Sequence, residues 1–197
     1  MDLKTIGAYD KMAEVYKNET STFWERFPRT FLDKFIELSG EKILDAGSGP
    51  GRDGLLLQKA GKYVVCLDAS KEMARISGER GLDSIVGDFN SLPFKDSAFD
   101  AVWSFMSLLH LSKDSIDTAL DEVHRVLLPC GVFGLGLKEG EGEEYREGFG
   151  EGMPRLYSYY KKDEVLDLMK KHGFELIYFE SFKPEPRAYL NFILKKT

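Results

Sequence analysis

The chain has 197 residues, 43% of them hydrophobic, which suits one domain with a single sizeable core. Its 27 Lys and Arg against 33 Asp and Glu leave a net charge of −6, so we expect no basic surface for phosphate backbones, and nucleic acid is a disfavoured partner. The two cysteines stand apart among apolar residues and no apolar run resembles a signal peptide or a membrane span, which favours a soluble chain in a reducing, cytoplasmic setting without a membrane partner.

Helical periodicity opens the chain. Apolar residues recur at i, i+3, i+4 and i+7 between Tyr9 and Tyr16, and again between Phe31 and Leu38. The pattern predicts two helices, and we interpret residues 1–40 as an N-terminal helical cap.

Short apolar runs alternate with helical patterns over residues 41–137. Buried strands are predicted at 42–46, 63–67, 84–86 and 99–104, and helices at 52–60, 70–78 and 116–127. Parallel strands joined by right-handed crossovers form an open sheet with helices on both faces, and ligands bind beyond the carboxyl ends of the strands. We therefore expect an α/β fold whose half at 41–137 holds a cofactor.

The last third of the chain has a different pattern. We predict a strand at 132–138, a helix at 162–172 and two closing strands at 174–182 and 188–195 that pair antiparallel. The glycine- and glutamate-rich stretch 138–160 is interpreted as a long flexible loop over the site. Residues 138–197 would then supply a substrate loop, a helix and a terminal hairpin, and with no linker visible the chain is predicted to be one domain, 1–197.

The most informative stretch is ILDAGSGPGRDGLLL, residues 43–57. A strand ending at Asp45 runs into a loop with Gly47, Gly49 and Gly51, and a helix follows. Glycine permits tight turns and close approach of a ligand, and the free N–H groups of the next helix favour a negatively charged group. The loop therefore predicts a ligand with an anionic end.

The same loop admits a second interpretation, because Gly49, Gly51 and Gly54 satisfy G-x-G-x-x-G, the dinucleotide fingerprint. In that pattern the first glycine closely follows the strand, and here that place belongs to Gly47. The pattern D-x-G-x-G-x-G fits the strand better, although the dinucleotide interpretation stays open.

Three acids stand at successive strand ends: Asp45, Asp68 and Asp88. A carboxylate at Asp68 suits the two hydroxyls of a ribose, and one at Asp88 suits the amino group of an adenine beside it. Any one of them alone could simply cap the following helix. Together they favour a nucleoside pocket.

Five stretches in this order and spacing resemble the class I, Rossmann-like S-adenosylmethionine-dependent methyltransferases: LDAGSGPGR (44–52), CLDAS (66–70), GDFNSLPF (87–94), FDAVWSFMSLLHL (99–111) and LLPCGVF (127–133). The resemblance extends from about residue 9 to the end of the chain. It implies a seven-stranded, mostly parallel sheet in the order 3-2-1-4-5-7-6 with the last strand antiparallel.

The resemblance implies S-adenosylmethionine as the cofactor, with the glycine loop at its methionine part. The sequence departs from the family at Cys130, where a second glycine is usual. The residues implied for the cofactor are Tyr16, Asp45, Gly47, Gly49, Gly51, Arg52, Asp68, Ala69, Met73, Asp88, Phe89 and Ser104. For Met73 and for the helix-face tyrosines, ordinary packing is an equal alternative.

Methyl transfer is mainly a matter of positioning, so no catalytic side chain is obligatory. His110 is the best candidate for a general base or a substrate contact, and its alternative is a structural contact with backbone. No metal site is predicted, because the irregular glutamates of 139–147 suit a solvated loop better than a chelating cluster.

The substrate end is expected in the stretch after the fifth strand and in the N-terminal helices. Its candidate residues are Trp24, Arg26, Lys138, Glu139, Arg155, Tyr157, Tyr159 and Tyr160. Such a lining suits a small polar or aromatic acceptor. A methyltransferase acting on a small molecule is therefore the leading hypothesis, with a tRNA-modifying methyltransferase, a dinucleotide-binding oxidoreductase and a domain that binds the cofactor without turnover as alternatives.

Overall fold

The computed structural model describes residues 2–147, 152–184 and 186–197. Three helices come first, α1 (Leu3–Thr20), α2 (Phe23–Arg26) and α3 (Thr30–Leu38). The sequence predicted only two helices here. It missed α2, whose four residues are too few to show a helical period. Helix α1 starts where the Asp2 carboxylate accepts the backbone N–H of Thr5 at 2.8 Å.

A seven-stranded sheet follows the helices, and its strands are β1 (Lys42–Ala46), β2 (Tyr63–Asp68), β3 (Asp83–Val86), β4 (Phe99–Phe105), β5 (Leu127–Lys138), β8 (Phe174–Phe182) and β9 (Tyr189–Lys196). The order of these strands across the sheet is β3-β2-β1-β4-β5-β9-β8. The crossovers carry α4 (Arg52–Lys59), α5 (Lys71–Glu79), α6 (Ile116–Val126) and α7 (Lys162–Lys171). Strands β1 to β5 are parallel, and β9 is antiparallel to both of its neighbours. This confirms the predicted α/β fold and strand order.

The core lies on both faces of the sheet. Ile43 and Leu44 are adjacent in β1, and both are fully buried. Because successive side chains of a strand point to opposite faces, Ile43 packs with Phe35 and Trp103 on one face, and Leu44 packs with residues of α6 and α7 on the other. Both faces of the central strands are therefore covered, as a parallel sheet requires.

A separate two-stranded ribbon interrupts the order after β5. Strands β6 (Glu143–Arg146) and β7 (Arg155–Ser158) pair antiparallel, and their connection includes residues 148–151, which lie outside the described residues. All of β7 is buried, whereas all of β6 is exposed. The prediction of a flexible polar loop was therefore wrong for residues 155–160, where Leu156, Tyr157, Tyr159 and Tyr160 join the core. The many glutamates of residues 138–160 made the whole stretch look polar, so its composition gave no sign of the buried strand within it.

The first residues of β5 include Cys130, where the sequence departs from the family, and the pairing of β5 with β4 is irregular there. Cys130 has φ 63, in the left-handed region that glycine adopts at little cost. None of the described helices is long and apolar enough to cross a membrane.

Candidate active site

The glycine loop joins β1 to α4 in a conformation that requires its glycines. Gly47, Gly49 and Gly51 have φ values of 73, 54 and 78, all left-handed. A Cβ on Gly47 would lie 2.2 Å from the Cβ of Ser107, so this position has no room for a side chain. The loop therefore lies directly against the turn after β4.

A cleft of about 680 Å³ lies between this loop, the carboxyl ends of β1, β2 and β4, and the inner face of α1. We call it the glycine-loop cavity. The predicted residues that line it are Tyr16, Asp45, Gly47, Gly49, Arg52, Asp68, Ala69, Met73, Phe89 and His110.

Three predicted cofactor residues do not line this cavity. A Cβ on Gly51 would point at Ser77 of α5, which assigns this glycine to packing. Ser104 is fully buried, and its hydroxyl lies 2.7 Å from that of Ser107. Asp88 accepts the backbone N–H of Asn90 at 2.9 Å, the geometry of a turn after β3.

Asp45 is the least satisfied acid of the cavity. It is 2% exposed, and its Oδ2 has no hydrogen-bond partner among the described residues. Burial, together with the negative charge of Asp53, raises the pKa of Asp45 well above its usual range. A ligand ammonium at this carboxylate would offset both effects, so the site fits the amino end of S-adenosylmethionine.

Asp68 holds the glycine loop to β2. Its Oδ2 accepts the N–H of Gly49 and its Oδ1 accepts the N–H of Ser70, each at 2.8 Å. A carboxylate oxygen has two lone pairs, so each oxygen can still accept a ribose hydroxyl. Burial raises the pKa of Asp68 to about 6. The cap of α5 is Ser70, so Asp68 anchors the loops on either side of β2, and this role is compatible with binding a ribose.

The two hydrophobic residues predicted beside the adenine are deeply buried. Met73 is 1% exposed and packs with Ala13 and Ile76, while Phe89, also 1% exposed, belongs to the main core. Both also line the cavity. Met73 therefore packs in the core and also lines the cavity, so the two interpretations of this residue do not exclude each other.

Sequence reasoning missed Asp53, the hub of a buried hydrogen-bond network. Its carboxylate accepts the indole N–H of Trp24 at 2.7 Å and that of Trp103 at 3.1 Å, and it pairs with Arg52 at 2.7 Å. Charge and hydrogen bonds from Arg52 help to lower the pKa of Asp53, against the opposing effect of burial. Trp24 was predicted at the substrate end, but it donates to Asp53 in this network and does not line the glycine-loop cavity. An acid in the first turn of a helix is common, so the position of Asp53 in α4 gave no sign of this network.

A second cleft of about 820 Å³ adjoins the first, and we call it the aromatic cavity. Both cavities are lined by Tyr9, Tyr16, Thr20, Arg52, Phe105, Met106 and His110. The aromatic cavity alone is lined by Glu19, Phe23, Arg26, Phe27, Leu109, Lys138, Arg155, Tyr157 and Tyr189. Arg155 therefore lies where the substrate end was predicted.

Three other predicted substrate residues, Glu139, Tyr159 and Tyr160, line neither cavity. Glu139 is exposed and forms a bridge with Tyr160 at the edge of the sheet. Tyr159 is 1% exposed, its hydroxyl donates to Glu144 at 2.9 Å, and the guanidinium of Arg187 lies 4.0 Å from its ring centre. Tyr159 lies just beyond β7 and its ring stacks on that of Tyr157, with 6.2 Å between the ring centres, but only Tyr157 lines the cavity.

His110 is buried between three chain segments. Its Nδ1 lies 2.6 Å from the carbonyl oxygen of Leu156, so Nδ1 carries the proton and donates it. Its Nε2 then accepts the hydroxyl of Tyr9 at 2.7 Å, and Arg155 donates to the same hydroxyl at 3.0 Å. Burial lowers the pKa of His110 to about 3. The backbone-contact alternative thus describes His110 in this structure, with its basic nitrogen engaged by Tyr9.

Met106 is a further residue that the sequence did not reveal. It lies between the two cavities with φ 58, and left-handed backbone is uncommon outside glycine, asparagine and aspartate. Such strain persists where surrounding structure enforces it, and here its N–H donates to Gly136 of β5 at 3.0 Å. Nothing in the local sequence favours this conformation.

A known family matches the half of the chain that builds this site. The family model described as a methyltransferase domain matches residues 44–135, from β1 into β5. The matched residues, 92 of the 197, form a methyltransferase domain, and the chain has the strand order and the glycine loop of the class I S-adenosylmethionine-dependent methyltransferases. It is an enzyme of that class, and its cofactor is S-adenosylmethionine.

The proteins similar to this chain differ in the share of their own length that the match covers. An uncharacterized protein of Methanocaldococcus jannaschii is 28% identical over 95% of this chain and 89% of its own length. Demethylmenaquinone methyltransferase of Streptomyces avermitilis is 40% identical over 65% of this chain, but the match spans only 57% of that enzyme. Among solved structures, 1,6-didemethyltoxoflavin-N1-methyltransferase of Burkholderia thailandensis has a TM-score of 0.70 at 20% identity, covering 97% of this chain and 88% of its own, and shares the fold.

Proposed function

We propose that this enzyme methylates a small-molecule acceptor bound in the aromatic cavity, with S-adenosylmethionine in the glycine-loop cavity. The observation that carries the proposal is the shared wall, since residues such as Tyr16, Phe105 and Met106 line both clefts. An acceptor in the second cleft would lie next to a cofactor in the first. Such adjacency provides the positioning on which this chemistry depends.

The side chains of the glycine-loop cavity would hold the cofactor by its polar ends. Asp45 would pair with the ammonium group, and Asp68 would accept the ribose hydroxyls with the lone pairs that Gly49 and Ser70 leave free. Bound there, S-adenosylmethionine would supply a methyl group activated by positively charged sulfur for transfer to a lone pair of the acceptor. Tyr9 and Tyr16, which line the cavity from α1, would exclude water from the bound cofactor.

His110 has a positioning role in this proposal. Its Nε2 accepts the Tyr9 hydroxyl, so it fixes the phenol that lies at the boundary of the two cavities. A base role would require Tyr9 to leave this nitrogen and would have to overcome a pKa of about 3. We therefore expect acceptors that need no protein base, or whose proton leaves to water.

Two of the similar proteins support a small-molecule acceptor. One is named for demethylmenaquinone and another for 1,6-didemethyltoxoflavin, and both names contain a ring compound. The aromatic rings that line the aromatic cavity of this chain suit an acceptor that contains such a ring. The acidic net charge of −6 continues to disfavour RNA.

Isothermal titration tests the proposal. Protein freed of any co-purified ligand is titrated in parallel with S-adenosylmethionine, S-adenosylhomocysteine and NADH, followed by an acceptor screen that detects S-adenosylhomocysteine release. We expect micromolar binding of both adenosyl compounds, none of NADH, and turnover with small acceptors in preference to tRNA. Turnover confined to tRNA would overturn the acceptor assignment.

A further inference from the structure

The aromatic cavity has an electrostatic character opposite to that of the whole chain. Its wall contains four basic side chains, Arg26, Arg52, Lys138 and Arg155, and one acidic side chain, Glu19, in a protein of net charge −6. Positive charge is thus concentrated where the acceptor of the proposed function would bind.

Lys138 is the most exceptional of these four. It is the last residue of β5, and its ammonium lies 5.2 Å from the ring centre of Tyr157 and 5.7 Å from that of Tyr189. Within residues 2–147, 152–184 and 186–197 it has neither a carboxylate partner nor a hydrogen-bond acceptor. The side chain is half-buried, so its desolvation is partial, and an anion bound in the cavity would offset that cost.

The surroundings of Lys138 reinforce this imbalance. Burial and the positive charges of Arg146, Arg155 and Arg187 all lower the pKa of Lys138, to about 8, and no carboxylate opposes them. The phenols beside it are neutral, because burial raises the pKa values of Tyr157 and Tyr189. The ammonium therefore lacks the anion that would balance it.

We infer that the acceptor is a planar anion, a ring compound bearing a carboxylate or an equivalent acidic group, with that group paired to Lys138 and its ring between Tyr157, Tyr189 and Phe105. The aromatic residues of the cavity would recognise the ring of the ligand, as Lys138 would recognise its acidic group. Tyr189 stacks against Phe105 with an angle of 17° between their planes, and both residues line the cavity. A planar ligand fits against such a surface, and aromatic contact favours ring compounds over aliphatic ones. This inference rests on the proposed function for the position of the acceptor, although the anion site itself is a separate property of the cavity.

The test uses three planar acids, 3-hydroxybenzoate, 2-naphthoate and indole-3-carboxylate, each with its neutral carboxamide. Binding is measured by isothermal titration at pH 7 with S-adenosylhomocysteine present. Because a hydrogen bond to a charged group contributes about 1.5–3 kcal/mol, we expect at least one acid to bind about tenfold or more tightly than its amide. Equal affinities within all three pairs, or no binding of any acid, would overturn the inference.

Variants assign the preference to Lys138. Lys138→Met keeps the length of the side chain without its charge and should abolish the preference for the acid, while Lys138→Arg should retain it. Lys95→Gln is the matched control, since this lysine is exposed and lies outside both cavities. A preference that survives in Lys138→Met contradicts the assignment, and so does its loss in Lys95→Gln.

The same data separate this inference from the proposed function. S-adenosylhomocysteine binding without any acid preference would refute the anion site and leave the methyltransferase proposal intact. Acid preference that disappears in Lys138→Met, in a protein that methylates no small molecule, would support the anion site and refute the acceptor proposal.

Discussion

The hydroxyl of Tyr9 lies 2.7 Å from Nε2 of His110, so a helix at the start of the chain is bonded to the turn after the fourth strand. Since Nδ1 of the same ring donates to Leu156, one neutral imidazole joins α1, β4 and the β6–β7 ribbon. These three segments enclose the two cavities. The contact therefore couples the stability of the site to the cover that α1 forms over it.

Loss of the Tyr9 hydroxyl should destabilise the fold. In Tyr9→Phe the buried Nε2 of His110 has no donor, and we expect the free energy of unfolding to fall by about 1–3 kcal/mol, measured by urea denaturation at neutral pH. Tyr63→Phe is the control, because that exposed hydroxyl donates to the exposed Asp83, and it should change stability by less than about 0.5 kcal/mol. Equal effects of the two variants would show that the Tyr9 contact contributes nothing.

The stability of the protein should decrease on mild acidification in a way that depends on His110. Its pKa is about 3 when folded and 6.5 ordinarily, so the unfolded chain takes up a proton first, and this contribution to stability is lost as the pH falls from 6.5 towards 3. We expect urea unfolding between pH 6.5 and 4.5 to show a smaller loss in His110→Gln than in the native sequence.

The difference between these two proteins isolates His110 from the other titrating groups. Asp68, whose pKa rises from 3.8 to about 6 on folding, acts with the opposite sign, because its contribution is present below 3.8 and is lost as the pH rises through 6. It does so in both proteins and therefore cancels. Parallel pH profiles for the two proteins would exclude a depressed pKa at His110.

Removal of the Asp68 carboxylate should weaken cofactor binding. Asp68→Ala takes away the acceptor expected for the ribose hydroxyls and the bond that anchors Gly49, and we expect S-adenosylmethionine to bind about 1.5–3 kcal/mol less tightly in isothermal titration. The control is Asp83→Ala, an exposed acid at the start of β3 that lines neither cavity, and it should bind as the native protein does. Unchanged affinity in Asp68→Ala would remove Asp68 from the ribose role.

Two glycines with the same backbone conformation should differ in their tolerance of alanine. Gly47→Ala adds a Cβ that would lie 2.2 Å from Ser107, whereas Gly61→Ala, with φ 85, adds one with no neighbour within 4 Å. Left-handed backbone alone costs about 1–2 kcal/mol, so Gly61→Ala should lose that amount and Gly47→Ala clearly more, together with cofactor affinity. Thermal and urea unfolding of both variants provide the comparison. Similar losses would mean that the loop can move away from Ser107.

Much of the fold and part of the site followed from local patterns. Backbone geometry imposes the strand and helix periods, and glycine is the residue that left-handed turns select, so β1, the loop through Gly51 and α4 were predictable within a residue or two. Asp45 and Asp68 were found for the same reason, since the end of a strand identifies them. The resemblance of five motifs to one family extended these local predictions to the order of the strands.

The tertiary structure alone decided which side chains converge on the cavities. Tyr9 and His110 are 101 residues apart, and His110 and Leu156 are 46 apart, distances over which no local period operates. Similarly, the polar composition of 138–160 concealed β7, because its burial depends on the core it packs against and on its pairing with β6. The sequence determined the local elements through conformational rules that act on neighbouring residues, and it indicated the class of enzyme through its resemblance to one family. Packing between distant segments decided the rest, including the position of the Lys138 ammonium between two tyrosine rings.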